Sequence, residues 1–412
     1  MKTLSESKEG SRLLRNTGGL LVVPSKAQLA SFCSSSLRQS QASPFGEEVR
    51  IAKFVDSVHV YNTKAKPKRI AIVDSNGQQV QFILKLEKKT DLRKDSRMMD
   101  FVNVINGEIG SKRVIETTMR TYQVLTLAED TGLIEFVPNL VTIRKIIDEG
   151  LVRIGKSVSQ YLNKEVMSKL AHKTDGFPFY QSIVETIPPM LAEWFAKEFP
   201  NPRGWLRART TFTQTQALWC IVGHVVGLGD RHPDNILIDT QSGAVVHVDF
   251  DCIFSRGMIL NIPELVPFRL TPICVSAMGV TGVEGLFRST AEQIMRVLRD
   301  RKKMLLSVLH AFIADPLIDW QAGANTSKKA KDVVQAIEKK LNGYVDVGEI
   351  RPDPNVNEEK LIVFNEASEK NSGLGKDRGA ALSVEGQIDE LIRAAVCPRN
   401  LAKMYLGWMP LF

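Results

Sequence analysis

The sequence predicts an α+β protein whose strands gather in its first third and whose helices dominate the remainder. Three observations carry this. Between Val49 and Leu86 the runs VHVY, RIAIVD and VQFILKL are β-branched and aromatic, and turn-like stretches NTKAKPKR and SNGQQ separate them. Beyond residue 138, long segments repeat apolar residues at helical spacing. Near the middle, the polar loop GLGDRHPDN runs into an apolar hairpin with Gly243 in its turn and Asp249 at its end.

A chain of 412 residues is too long for one ordinary core and implies two or three structural units. Its apolar and charged fractions, 43% and 24%, are those of a soluble globular protein. No apolar run approaches the ~20 residues of a membrane helix. The opening MKTLSESKEGSRLLRNTGGLLVVP lacks the continuous apolar stretch and cleavage pattern of a secretory signal. Five cysteines, at 33, 220, 252, 274 and 397, follow no metal or disulfide spacing, as expected of structural thiols in a reducing compartment. The net charge of +8 is spread along the chain without interleaved aromatics, so direct nucleic-acid binding is not supported.

In chain order, residues 1–45 are rich in Ser, Lys and Gln and read as a mobile lead-in containing Ser40-Gln41. Residues 46–137 hold the sheet. Asn76-Gly77 marks a hairpin. The loop around Thr63 offers a hydroxyl and three lysines but no glycine; alone it is a basic surface turn, and its place ahead of Lys85 favours a phosphate-binding role. Lys85 ends the strand QFILKL with apolar neighbours. It reads either as a salt-bridged edge lysine or as the cation that ATP phosphates require. A helix follows with Met98, Met99, Val102 and Ile105 on one face, and Asp95 at its start is placed to pair with Lys85. TMRTYQVLTLAEDTGLIEFVPN gives two more strands and a link.

Residues 138–320 read as helices (LVTIRKIIDEG, SVSQYLNKEVMSKLAHK, PPMLAEWFAKEF, TFTQTQALWCIVGHVVG and the stretch from 272 on), with the polar loop and hairpin among them. Residues 321–380 are linker-like around one helix, DVVQAIEKKLNG. In residues 381–412, Val384, Ile388, Leu391, Ile392 and Ala395 form one face of a helix opening at Ser383 and stopping at Cys397-Pro398. The last residues, NLAKMYLGWMPLF, are too apolar for a loose tail.

The central block has the parts that phosphoryl transfer from ATP needs: one carboxylate, Asp230, to orient an acceptor hydroxyl, then an amide, Asn235, and a second carboxylate, Asp249, to hold a metal. The Asp230-to-Asn235 step equals that of the protein-kinase catalytic loop, but the His, His232, lies after the Asp instead of before it.

GLGDRHPDN followed by VHVDF resembles the phosphatidylinositol 3-kinase-related protein kinases, the PIKKs. Lys85 with Asp91-Leu92-Arg93-Lys94-Asp95, then FPFYQSIVETIPPMLAEWFAKEFPNPRGW, VPFRLT and the closing Met-Tyr-Leu-Gly-Trp are similar to the members nearest ATR. The resemblance runs from about residue 46 to 412. It implies a two-lobed PI3K/PI4K-like kinase fold, with a β-rich small lobe (46–137), a helical large lobe (138–320), a regulatory segment (321–380) and a C-terminal helical FATC domain (381–412). It also implies ATP with Mg²⁺ or Mn²⁺, held by Asn235 and Asp249, and adenine docking after GLIE. There Phe136 offers its ring and the backbones of Glu135 and Val137 the hydrogen-bonding edges, although by its residues alone Phe136 reads equally as a core aromatic. His232 is implied to donate to the transferring phosphate. Transfer to Ser/Thr-Gln sites of proteins, in nuclear DNA-damage checkpoint signalling with an ATR-interacting type of partner subunit, completes the implication.

Asp251 departs from the usual Gly of this motif. The family's long helical-repeat and FAT regions do not precede the kinase here, so the chain reads as a fragment, a truncated gene model or a minimal paralogue. Between Cys252 and Thr271 the activation segment carries only Arg256 ahead of VPFRLT and is otherwise largely apolar, which favours a peptide over a multiply charged lipid headgroup. A lipid kinase and an inactive scaffold are the rival readings.

Overall fold

The computed structural model describes residues 50–62, 66–86, 91–112, 115, 117–128, 131–171, 176–313, 326–345 and 381–412. Thr63, Ser40-Gln41, the lead-in and most of the 321–380 segment lie outside them. The chain divides into two compact units. One comprises the described residues up to Asp100 with Thr121–Pro138, the other Phe101–Arg120 with Asn139–Phe412.

The first unit is built on an antiparallel sheet of β1 (Ile51–Phe54), β2 (His59–Val60), β3 (Lys68–Asp74), β4 (Gln79–Leu86), β5 (Val124–Ala128) and β6 (Thr131–Glu135). Its order is β1-β3-β4-β6-β5, with β2 also paired to β3. Asp74 and Gly77 make the β3–β4 hairpin. Gly77 takes φ 77° and the Asp74 carboxylate accepts from the amides of Asn76 and Gln78 at 2.9 and 2.7 Å. Ile72 and Phe82 form the centre, covered by Ile51, Phe54, Ile70, Val80 and Leu133. The helix α1 (Leu92–Lys112) begins in this unit, and Met98, Met99, Val102 and Ile105 are all buried along one face.

In the second unit, β7 (Leu140–Thr142), β8 (Ile236–Asp239) and β9 (Val245–His247) form a small antiparallel sheet. The helical reading of LVTIRKIIDEG is therefore half corrected. Its first three residues pair with β8, and only then does α2 (Ile143–Arg153) start, capped by the Thr142 hydroxyl on the Lys145 amide at 3.1 Å. After α3 (Val158–Tyr161), α4 (Lys164–Ala171), α5 (Gly176–Val184) and α6 (Met190–Glu198) comes the long α7 (Pro202–Val226). Asn201 caps it at one end and Gly227, at φ 65°, closes the other. Met295, Leu298, Leu305 and Leu309 follow helical spacing that Lys302 interrupts, and the helix breaks next to it, at Arg301, into α9 (Leu286–Asp300) and α10 (Lys302–Ile313), following α8 (Pro272–Ala277).

The last elements are α11 (Thr326–Leu341), α12 (Val384–Val396) and α13 (Pro398–Ala402). Ser383 caps α12 through the Gly386 amide at 3.1 Å. Arg288 and Arg299 of α9 clamp α12 through Asp389 at 3.3 Å and Gln387 Oε1 at 2.7 Å. Among the described residues no helix is long and apolar enough to cross a membrane, and the described cysteines 220, 252, 274 and 397 are all unbridged.

Candidate active site

Packing against α7 fixes the hairpin that carries the candidate residues. Trp219 is buried, donates from Nε1 to the Val245 carbonyl at 3.1 Å, and stacks on His247 with ring centroids 4.6 Å apart. The Thr215 hydroxyl accepts from the Val245 amide at 2.9 Å. Register then does the rest. Ile236 pairs with His247, and the Val248 amide donates to the Asn235 carbonyl at 3.1 Å. Asn235 and Asp249 thus leave the hairpin side by side, on adjacent chain ends.

The loop before β8 is held by backbone more than by side-chain packing. Asp230 adopts φ 56°, a left-handed conformation that Asp tolerates better than most residues. Its carbonyl accepts from Asn235 Nδ2 at 3.0 Å, and its amide donates to Glu264 Oε1 at 2.7 Å. Its carboxylate stays half exposed, at 52% of full accessibility. The Asp234 amide donates to His232 Nδ1 at 3.2 Å. Nδ1 is then the acceptor, and the neutral ring carries its proton on Nε2, which lies 4.0 Å from Asp230 Oδ2.

Arg231, to which the sequence reading assigned no role, is the hub of this loop. It is buried and donates to the carbonyls of Gly229 and Val248, both at 2.9 Å, and of Asp249. Burial pulls its guanidinium down from the ordinary arginine range, and Asp249 and Asp230 counter that pull. Asp249, exposed at φ 62°, is fixed from behind by this carbonyl bond while its side chain faces outward. A buried arginine joining three main-chain oxygens was visible in the sequence only as the Arg in GDRHPDN.

Asn235 and Asp249 suit a hard divalent cation. Asn235 uses its Nδ2 on the Asp230 carbonyl, leaving Oδ1 as the ligand atom, and Asp249 supplies a carboxylate. Among the described residues no group of three or more His, Cys, Asp or Glu side chains forms a metal cage. A two-residue set fits Mg²⁺ or Mn²⁺, which complete their coordination with water and nucleotide phosphates. Asp251 lies 3.7 Å from Arg256, so the one basic residue of the early activation segment is matched by a carboxylate.

In the first unit, Lys85 is half-buried on β4 opposite Gly132. A Cβ on Gly132 would meet Leu92 Cδ1 at 2.8 Å, so the first turn of α1, which contains Asp95, packs on the rung that carries Lys85. Asp91 is otherwise engaged, bonded to Arg93 Nε at 2.9 Å and to the Arg93 amide at 3.0 Å. Glu135 is tied to Gln123 twice, through its amide at 2.8 Å and its carboxylate at 3.0 Å. Phe136 donates its amide to Gln81 at 2.9 Å, and Arg69 covers one face of its ring at 4.8 Å. Val137 is buried beside it.

Arg269, in VPFRLT, is a second arginine whose role the sequence did not disclose. It is buried, and one guanidinium donates to the carbonyls of Trp408, Met409 and Phe412 at 2.7, 2.9 and 2.5 Å and to Arg231 at 3.3 Å. Burial pulls its pKa down to about 10, so it stays charged at neutral pH. Tyr180 adds a hydrogen bond to the Pro410 carbonyl at 3.0 Å, and the Leu265 amide points at Met404 Sδ at 3.2 Å. The apolar C-terminal residues are thereby built into the floor of the activation segment.

Gly227 shows how tight the loop entry is. A Cβ there would clash with the backbone nitrogen and hydroxyl of Ser255, at a φ that side chains disfavour. Gly227→Ala is expected to cost about 3 kcal/mol, combining left-handed strain with overpacking. A shift of the chemical denaturation midpoint measures it.

Comparison with known proteins identifies the family. The profile of the family described as "Phosphatidylinositol 3- and 4-kinase" matches residues 79–322, and that of the "FATC domain" matches 381–412. The chain is 35% identical over 398 residues to the serine/threonine-protein kinase ATR of Oryza sativa subsp. indica, covering 93% of this chain and 14% of that protein. Similar matches are protein kinase rad3 of Schizosaccharomyces pombe (35% identity, 95% of this chain, 16% of the relative) and the serine/threonine-protein kinase MEC1 of Eremothecium gossypii (34%, 95% and 15%). A solved structure, "FAT and kinase domain of CtTel1", superposes with TM-score 0.74 at 28% identity, covering 91% of this chain and 25% of that one. The chain thus spans only 14–16% of the length of these curated relatives. It belongs to the phosphatidylinositol 3- and 4-kinase family, in the branch of PIKK protein kinases that carries a FATC domain, with a kinase region of the ATR, Rad3 and Mec1 type.

Proposed function

We propose that this chain is an ATP-dependent, non-specific serine/threonine protein kinase that transfers the γ-phosphoryl group to Ser or Thr followed by Gln. The observation that carries this is Asp230: its peptide is pinned at both ends while its carboxylate faces solvent beside His232. In the reaction, Asp230 orients the acceptor hydroxyl and accepts its proton as the new O–P bond forms and the bond to ADP breaks. His232 donates from Nε2 to a phosphoryl oxygen. Lys85, positioned by Asp95, holds the phosphates with Thr63, and Phe136 with the Glu135 and Val137 backbones holds adenine. Asn235 and Asp249 would hold Mg²⁺ or Mn²⁺, which neutralises charge on the phosphates.

Residues 46–137 serve as small lobe and hinge, 138–320 as large lobe, 321–380 as regulatory segment and 381–412 as FATC. A protein acceptor is favoured because Arg256 is paired with Asp251 and the exposed neighbours Ile259, Leu260 and Ile262 are apolar. The resemblance to ATR, Rad3 and Mec1 supports a role in nuclear DNA-damage checkpoint signalling, with a partner subunit of the ATR-interacting type. The test is transfer of labelled γ-phosphate to a Ser-Gln peptide, its Ser-Ala twin and phosphoinositide vesicles. Label is expected on the Ser-Gln peptide. Label on lipid would overturn the acceptor assignment.

A further inference from the structure

Glu264 meets Asp230 in a way that the general kinase chemistry does not use. It lies in the activation segment, and its Oε1 accepts the Asp230 amide at 2.7 Å. Its own amide donates to the Gly257 carbonyl at 3.0 Å. The carboxyl fits between two glycines. A Cβ on Gly229 would lie 2.6 Å from Oε2, and one on Gly257 would clash with the same atom. One side chain therefore joins the catalytic loop to two points of the activation segment, and both loops give up side chains to admit it.

We propose that Glu264 is the positioning residue for Asp230, the group that sets the peptide plane from which the Asp230 carboxylate projects. Asp230 sits at φ 56°, so its backbone is not held by regular secondary structure. Asn235 fixes its carbonyl from within the loop, whereas only Glu264 fixes its amide from outside it. Loss of that bond lets the peptide rotate, and a catalytic group displaced by about 1 Å loses on the order of 10² in rate. The chemistry of the contact is costly, which argues for purpose over packing. Burial above all pushes the Glu264 carboxyl up to about 7, with the Asp230 charge adding to the rise and the Asp230 amide and Arg231 opposing it.

The inference rests on the reading of Asp230 as the acceptor-orienting group, and two readouts on the full chain keep the two claims separable. The first is steady-state kinetics on the Ser-Gln peptide for Glu264→Ala and Glu264→Gln. The Ala variant should lose about 30-fold in kcat with KM for ATP and peptide within about twofold. The Gln variant keeps an oxygen acceptor and should recover kcat to within about fivefold, since a neutral acceptor is the weaker one. The second is amide hydrogen exchange of residues 228–235, expected to quicken in the Ala variant and to stay slow in the Gln variant. Wild-type kcat and unchanged exchange in Glu264→Ala would overturn the proposal, as would an equal loss of kcat in both variants. A wild-type chain that transfers no phosphate would remove the kinase reading, and the exchange comparison would then decide the brace by itself.

Discussion

Replacing Asp230 with Asn should abolish phosphoryl transfer, lowering kcat by about 10³- to 10⁴-fold while leaving ATP affinity within about twofold. Asn is the informative substitution. Asp230 holds φ 56°, and Asn populates that left-handed region readily whereas Ala is strained there. The Asn variant keeps the Glu264 and Asn235 bonds, both of which are to the Asp230 main chain, and removes only the carboxylate charge. Ala would add loop distortion to the loss of the base. Asp249→Asn should fail differently, weakening metal-dependent nucleotide binding as well as turnover. Parallel measurement of ATP affinity and turnover separates the two roles. Asp230→Asn with near-normal kcat would remove Asp230 from the chemistry.

Arg269→Met is expected to be the most destabilising change outside the reacting groups. The side chains are similar in length, so the main loss is polar. The carbonyls of Trp408, Met409, Phe412 and Arg231 lose one shared donor in a buried setting. Each orphaned buried acceptor costs about 1–3 kcal/mol. The guanidinium also stacks on Trp408, 4.5 Å from its ring centroid. A fall in Tm of about 5–10 °C follows, with faster hydrogen exchange in residues 404–412. The expected pattern includes reduced turnover, because the same guanidinium reaches the Arg231 carbonyl in the catalytic loop. An unchanged Tm would mean that the C-terminal residues are held by apolar burial alone.

Much of the fold was legible because local signals and tertiary structure agree. Asn76-Gly77 and Gly243 sit at turns with positive φ, Ser383 caps α12, and the β-branched runs before residue 87 are strands. The strand β7 was not legible. Leu140–Thr142 is three residues long, its apolar pattern continues into α2, and its partner β8 lies almost a hundred residues later. The break at Arg301 left only a faint mark, the interruption of the apolar spacing by Lys302, because Leu305 and Leu309 resume that spacing beyond it.

For the site, the sequence shows residue types that carry chemistry and conceals those that hold them. Asp230, His232, Asn235 and Asp249 were singled out by type and spacing, and the hairpin register places Asn235 and Asp249 together. Arg231, Glu264 and Arg269 were passed over. A charged residue is expected at the surface. Their burial depends on carbonyls and amides supplied by distant segments, and main-chain partners leave no mark on a sequence. The rung that carries Lys85 admits the first turn of α1 because position 132 is a glycine, a small residue whose meaning appears only once Leu92 is seen against it.

The most direct test of the account is a time course of labelled γ-phosphate transfer from ATP to a Ser-Gln peptide by the wild-type chain, run beside Asp230→Asn with Mg²⁺ or Mn²⁺ present. Steady incorporation by wild type and none by the variant, with ATP bound equally by both, is the predicted result. Equal incorporation by the two, or none by a wild-type chain that binds ATP, would contradict it.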